Sequence, residues 1–74
     1  MHRDPVDSSV IRSIGYDEGR RVLEVEFRTG RLYQYLGVPP AVYRDLLRAE
    51  SIGEFFNHQV RREYRAVEIT SGSK

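Results

Sequence analysis

Cysteine is absent from this 74-residue chain, which excludes disulfides, thiolate metal sites and a cysteine nucleophile together. Histidine occurs twice, at His2 and His58, and two imidazoles without a thiol form no recognisable metal set. No apolar run approaches the roughly 18 residues that a membrane span needs. No charged-then-apolar leader opens the chain. A cytoplasmic location without a membrane partner is the expectation. An excess of one charge is also missing, since 12 basic side chains against 11 acidic ones leave a net charge of +1. Proteins that live on phosphate backbones usually carry a clear positive surplus, so any cationic surface here has to come from local clustering. Nothing has the form of a nucleophile elbow, and the paired acids Glu24 and Glu26 read as one face of a strand. No enzymatic activity and no cofactor are expected.

What is present is ordinary for a globular protein, at 39% apolar and 31% charged residues. A chain this short buries only about 60% of its unfolded surface. The division expected is a flexible N-terminal arm over residues 1–7, one domain over residues 8–65, and a short, mostly flexible extension over residues 66–74. Within the extension, residues 66–69 could add a short strand and residues 70–74 should fray.

Three strands are expected. The first covers residues 8–16, with Val10, Ile11, Ile14 and Tyr16 as its apolar content, and a turn cluster follows at residues 17–20. The second covers residues 22–27 and alternates cleanly, Leu23, Val25 and Phe27 against Glu24 and Glu26, as a half-buried antiparallel strand should. The hairpin after it decides the rest. A two-residue Thr29-Gly30 loop would need positive φ at both positions, which β-branched Thr29 resists. A three-residue loop, Arg28-Thr29-Gly30, needs it at Gly30 alone. Phe27 then pairs with Arg31, Val25 with Tyr33, and Leu23 with Tyr35. A slip of one residue would turn every side chain to the other face. In the preferred register Tyr33 and Tyr35 point inward, as core aromatics rather than a platform for unpaired bases. The outer face then carries Val22, Glu24, Glu26, Leu32, Gln34 and Leu36.

Pro39 and Pro40 stop the sheet and start a helix, with Val42, Tyr43, Leu46 and Leu47 as its apolar stripe. The pattern from Ser51 to Glu54 is a capping box and opens a second helix running to about Tyr64, with Ile52, Phe55, Phe56, Val60 and Tyr64 inward. The class is α+β: a three-stranded antiparallel sheet (β-β-β) followed by two α-helices packed on one face. On helix 2, Glu54, His58, Arg61 and Arg65 fall at i, i+4, i+7 and i+11, with Arg62 beside them. Arginines near a helix C-terminus offset its dipole, yet Arg61 and Arg65 repel mildly at i, i+4, which slightly favours a use such as phosphate contact. Arg44 and Arg48 on helix 1 widen this patch if the helices lie side by side. Gly53 suits close packing against the sheet, and Asn57 suits a bond to a neighbouring loop.

The ordered series is Ser8-Ser9 with Ile11, then Tyr16-Asp17, Leu23, Val25, Phe27 and Gly30. It continues through Tyr33-Gln34-Tyr35, Val38-Pro39, Val42-Tyr43, Leu46 and Ala49, and closes with Ser51, Gly53, Phe56-Asn57 and Tyr64. In this it resembles the KTSC domain family, named after the C-terminal domain of some lysyl-tRNA synthetases. The resemblance implies a free-standing, small bacterial member whose function is not established, with RNA binding suggested by the synthetase association. It marks Tyr33, Tyr35, Gly53 and Asn57 as motif positions, structural in character. Two readings follow. One is a non-enzymatic binding module for RNA, using Arg61, Arg62, Arg65, His58, Arg44 and Arg48. The other is a protein-interaction or self-associating domain, a homodimer included, using Val22, Leu32 and Leu36 of the outer sheet face.

Overall fold

The computed structural model describes residues 2–69. Among them the chain runs β1 (Asp4–Pro5), β2 (Ile11–Asp17), β3 (Val22–Phe27), β4 (Leu32–Leu36), α1 (Pro40–Arg48), α2 (Ile52–Phe55) and β5 (Arg65–Glu68). A π-helical turn, Phe56–Val60, continues α2. The class is α+β as expected, but the antiparallel sheet has five strands, in the order β1-β2-β3-β4-β5, and not three.

Both added strands are edges, and neither has the alternation that reveals a half-buried strand. β1 lies within the stretch expected as an arm, and Pro5, which has no N–H to give, is tolerated at a sheet margin. β5 is exposed at all four residues and is held by pairing with β4, Tyr35 opposite Ala66 and Leu36 opposite Arg65. It occupies the segment where a weak strand was expected. The expected fraying of residues 70–74 lies outside the described residues.

The central hairpin has the three-residue loop. The Phe27 N–H donates to the Arg31 carbonyl at 2.9 Å, the Gly30 N–H donates to the Phe27 carbonyl at 2.9 Å, and Gly30 alone in the loop has positive φ, at 95°. Val25 accordingly pairs with Tyr33 and Leu23 with Tyr35. The inner face therefore gathers Ile11, Ile14, Leu23, Val25 and Tyr35 into one core with Val38, Leu46, Phe56 and Val60. Each such buried apolar side chain contributes about 1.5–3 kcal/mol.

Pro40 is the first residue of α1, after an extended Pro39. Of the expected apolar stripe, Leu46 is buried and Val42 and Tyr43 pack against the core, whereas Leu47 faces outward. Tyr43 stacks on Tyr16 of the sheet at 4.7 Å. The second helix begins as expected, with Ser51 Oγ accepting from the Glu54 N–H at 3.3 Å. It ends sooner than Tyr64. The Arg61 N–H bonds to the Phe56 carbonyl at 2.9 Å, the wide turn of a π-helix, and the chain then leaves for β5. Phe56 and Val60 are buried, while Ile52, Phe55 and Tyr64 are half-buried at its flanks.

The outer face is a polar network rather than a bare sheet. The N-terminal segment crosses it so closely that a Cβ on Gly15 would sit 2.3 Å from the His2 carbonyl oxygen and 2.9 Å from Arg3 Cγ. Arg3 reaches over that glycine to pair with Glu24 and donates through Nε to Ser13 Oγ at 3.1 Å. Gln34 Nε2 donates to the other Glu24 oxygen at 2.9 Å, and Ser13 Oγ donates to Glu26 at 2.8 Å. Glu24 is thereby buried with both oxygens engaged.

Candidate nucleic-acid interface

Aromatic side chains run in a chain from the core to the hairpin end of the inner face. Tyr35 meets Phe56 edge-on at 5.1 Å, Phe56 meets Phe27 at 5.5 Å, and Phe27 meets Tyr33 at 5.7 Å and 82°. T-shaped contacts of this kind are worth roughly 0.5–1.5 kcal/mol beyond the area they bury. Tyr35 is only 4% exposed; Tyr33 and Phe27 are half-buried.

Where that chain surfaces, a groove of about 590 Å³ opens. Phe27, Tyr33 and Tyr35 line it together with Arg28, Arg31 and Arg61, and Ser9, Val10, Thr29 and Ala66 complete the wall without a carboxylate. Burial raises the Tyr35 phenol above its usual range, the Arg61 charge opposes that shift, and Tyr33 adds to it. The phenol is therefore a neutral hydrogen-bonding group at physiological pH.

The three arginines are held differently. Arg28 donates through Nε to the Ser8 carbonyl at 2.7 Å. Arg61 has the Asn57 side-chain oxygen at 3.4 Å. Neither has a carboxylate partner among the described residues. Arg31 lies 3.6 Å from Glu68, whose other oxygen is 3.5 Å from the Tyr33 hydroxyl. On the far side of Arg61 a second concavity, about 600 Å³, is lined by Asn57, His58, Arg61 and Arg62. Arg61 is common to both hollows.

The residues proposed from helical spacing thus separate. Arg61, Arg62 and His58 do converge. Arg65 does not join them, because the π-turn ends the helix at Val60 and Arg65 becomes part of β5 opposite Leu36, on the outer face. Arg44 and Arg48 are exposed on α1 and border neither hollow. Among the described residues Asn57 accepts from Arg61 on its own helical turn and has no bond to a loop. A Cβ at Gly53 would meet Ser8 Oγ at 3.6 Å and Val10 Cγ2 at 3.8 Å, ordinary contacts, so space alone does not demand glycine there.

The hairpin arginines escaped the reading of the sequence. A signal was available: the three-residue loop puts Arg28 and Arg31 at the same end as Phe27 and Tyr33. Among the described residues no cluster of three or more His, Asp or Glu side chains could hold a metal ion, and no helix is long and apolar enough to cross a membrane.

Comparison with known proteins places this geometry. The KTSC domain model matches residues 7–64. A crystal structure of a KTSC domain protein from Yersinia pestis is 43% identical, superposes with a TM-score of 0.89, and is covered over 96% of its chain by 92% of this one. An uncharacterized protein of Stutzerimonas stutzeri is 51% identical over 57 residues, spanning 77% of this chain and 80% of its own. A lysine–tRNA ligase of Nostoc punctiforme is 33% identical over 64 residues, which are 86% of this chain and 11% of the ligase. With the domain model spanning most of its length and a solved relative sharing its fold nearly end to end, the chain belongs to the KTSC domain family.

Proposed function

We propose that the domain is a cytoplasmic binding module without a reaction of its own, and that it takes single-stranded RNA on the surface centred on Arg61. One observation carries this reading: Arg61, Arg62 and His58 form a concave cationic surface whose lining holds no carboxylate, in a protein whose net charge is only +1. Arginine is also the cation of choice, since Lys74 is the single lysine in the chain. A guanidinium binds phosphate through two donors and stacks on aromatic faces, whereas an ammonium acts as a point charge. The likeness to a segment of a lysine–tRNA ligase supports the same choice of ligand.

The test is anisotropy titration of a labelled single-stranded RNA at several salt concentrations. Affinity should fall with salt at a slope of about −0.7 per phosphate contacted. Replacing Arg61 and Arg62 together with alanine should reduce that slope by about 1.4. An unchanged slope, or no binding at low salt, removes the reading.

A second reading keeps one observation in its favour. Leu36, Val67 and Ile69 are 37%, 43% and 37% exposed, beside one another at the β4–β5 margin of the outer face. On that face Val22, expected to contribute to such a contact, is buried and Arg3 pairs with Glu24 over the acidic centre, so contact with a protein or a second copy there uses this margin. Sedimentation over a range of concentrations tests its self-associating form: a strict monomer removes self-association.

A further inference from the structure

We infer that the groove at the hairpin end is a base slot, which takes one unpaired nucleobase against the Phe27–Tyr33 corner and its phosphate on Arg28 and Arg61. This rests on the RNA reading above and deepens it, by naming the chemical unit recognised: a nucleoside monophosphate, within a strand or free.

Four features of the groove converge on that ligand. Its volume, about 590 Å³, lies within the roughly 300–1,000 Å³ typical of small-molecule sites. Its floor is aromatic, and the rings are already fixed by edge contacts running back to buried Phe56, so little ordering opposes stacking. Its rim carries guanidinium groups that no described carboxylate neutralises at Arg28 and Arg61. The Ser9 and Thr29 side chains at the wall provide hydroxyls that can both donate and accept toward a base edge or a ribose.

An aliphatic ligand would leave the cations unused, and a bare anion would leave the rings unused. A nucleotide uses both. Duplex RNA keeps its bases stacked inside the helix and could reach only the rim, so the slot selects single strands. Arg61, which borders both hollows, carries the strand from the slot toward His58 and Arg62.

The experiment uses the full chain. Amide and aromatic NMR shifts are followed during titration with adenosine monophosphate, and in parallel with ribose 5-phosphate, which has the phosphate and no base. A single-stranded RNA octamer and its duplex are titrated separately. The nucleotide should move resonances of Phe27, Thr29 and Tyr33, and ribose 5-phosphate should leave the ring resonances in place. Tyr33→Leu should weaken octamer binding fivefold or more without changing the salt slope, and Tyr33→Phe, which keeps the ring, should recover the loss. Arg65→Ala, an equal loss of charge on the other face, serves as the control. If the octamer binds through Arg61 while the nucleotide leaves the groove unmoved and Tyr33→Leu binds as wild type does, the slot is wrong and the RNA reading survives. Groove shifts with the nucleotide but no octamer binding would keep the slot and remove the RNA reading. No response to either ligand overturns both.

Discussion

Arg3 on the outer face of the sheet and the pair Arg28 and Arg61 at the hairpin end of the inner face are held in opposite ways. On the outer face Arg3 is enclosed by acceptors: Glu24, Glu26 at 4.0 Å and Ser13. Its charge is consumed in closing the N-terminal segment over Gly15. At the hairpin end of the inner face, Arg28 and Arg61 hydrogen-bond, among the described residues, to neutral oxygens and stand beside aromatic rings. A cation surrounded by carboxylates stabilises the fold and has little left for a ligand. A cation anchored by a carbonyl or an amide keeps its charge for one. The partners of an arginine, more than its exposure, tell the two roles apart.

The largest expected effect comes from removing the ring on which the inner face is built. Phe56 is buried and contacts both Phe27 and Tyr35. Phe56→Ala should cost about 3–5 kcal/mol, which in a domain of this size lowers Tm by about 4–8 °C for each kcal/mol. Thermal unfolding by circular dichroism measures it. A loss below about 1 kcal/mol would mean that the groove floor is not supported from the core.

The outer face should respond less, and in a way that reports its single strap. Arg3→Ala uncovers Glu24, and water admitted to the site softens the penalty of an unpaired buried charge to about 1–3 kcal/mol. Gly15→Ala drives a methyl into the path of His2 and Arg3 and should displace the same segment. Because both changes release one contact, the double variant should cost little more than the worse single one, as coupled sites do. Chemical denaturation of the four proteins tests this, and simple additivity would show that the strap is not one unit. RNA affinity should be unaffected by either change if the faces are independent.

Alkaline pH addresses the inner side alone. Tyr16, Tyr35 and Tyr43 all have phenols raised from 10.0, in each case chiefly by burial. The folded state therefore favours their neutral forms. That contribution is complete below the unfolded value of about 10 and is lost as pH climbs through the higher folded values. Tm should be level from about pH 7 to pH 9 and fall above about pH 10. Tyr35→Phe removes one of the three ionisations and should flatten the fall. An unchanged fall would mean that Tyr35 ionises as readily folded as unfolded.

How much of this could be read from the residues depended on whether a local rule or a distant contact set the outcome. Thr29 resists positive φ, so the loop, the register and the inward tyrosines followed from one hairpin. The Ser51 cap and the Pro40 start are equally local. β1 was invisible because nothing near Asp4 announces a strand; what holds it is distant, its pairing with β2 (Asp4 opposite Ile14, Pro5 opposite Ser13) and the reach of the neighbouring Arg3 to Glu24, 21 positions away. β5 carries no buried face, so no alternation marked it. The arginine stripe failed for a third reason. Counting by α-helical turns presumes that the helix persists, and the π-turn at Phe56–Val60 ends it before Arg65. π-turns of this kind recur at functional sites, and here the turn leaves Arg61 between two hollows and sends Arg65 to the opposite face.

The smallest effect is a gain. Gly53 lies in the first turn of α2, with no positive φ to require a glycine, and a methyl there would touch Ser8 Oγ and Val10 Cγ2 at ordinary distances. Gly53→Ala reduces the freedom of the unfolded chain without straining the folded one, and should add about 0.4–1 kcal/mol. Val10 also borders the aromatic groove, so the substitution tightens the inner face beside the slot while leaving every arginine in place. Stability should rise and RNA affinity should hold. A loss of stability would show that α2 approaches the segment of Ser8 and Val10, just before β2, more closely than 3.6 Å allows. A loss of affinity at unchanged stability would place the ligand in the crevice between Ser8, Gly53 and Asn57, away from the cations on which the contrast between the two faces depends.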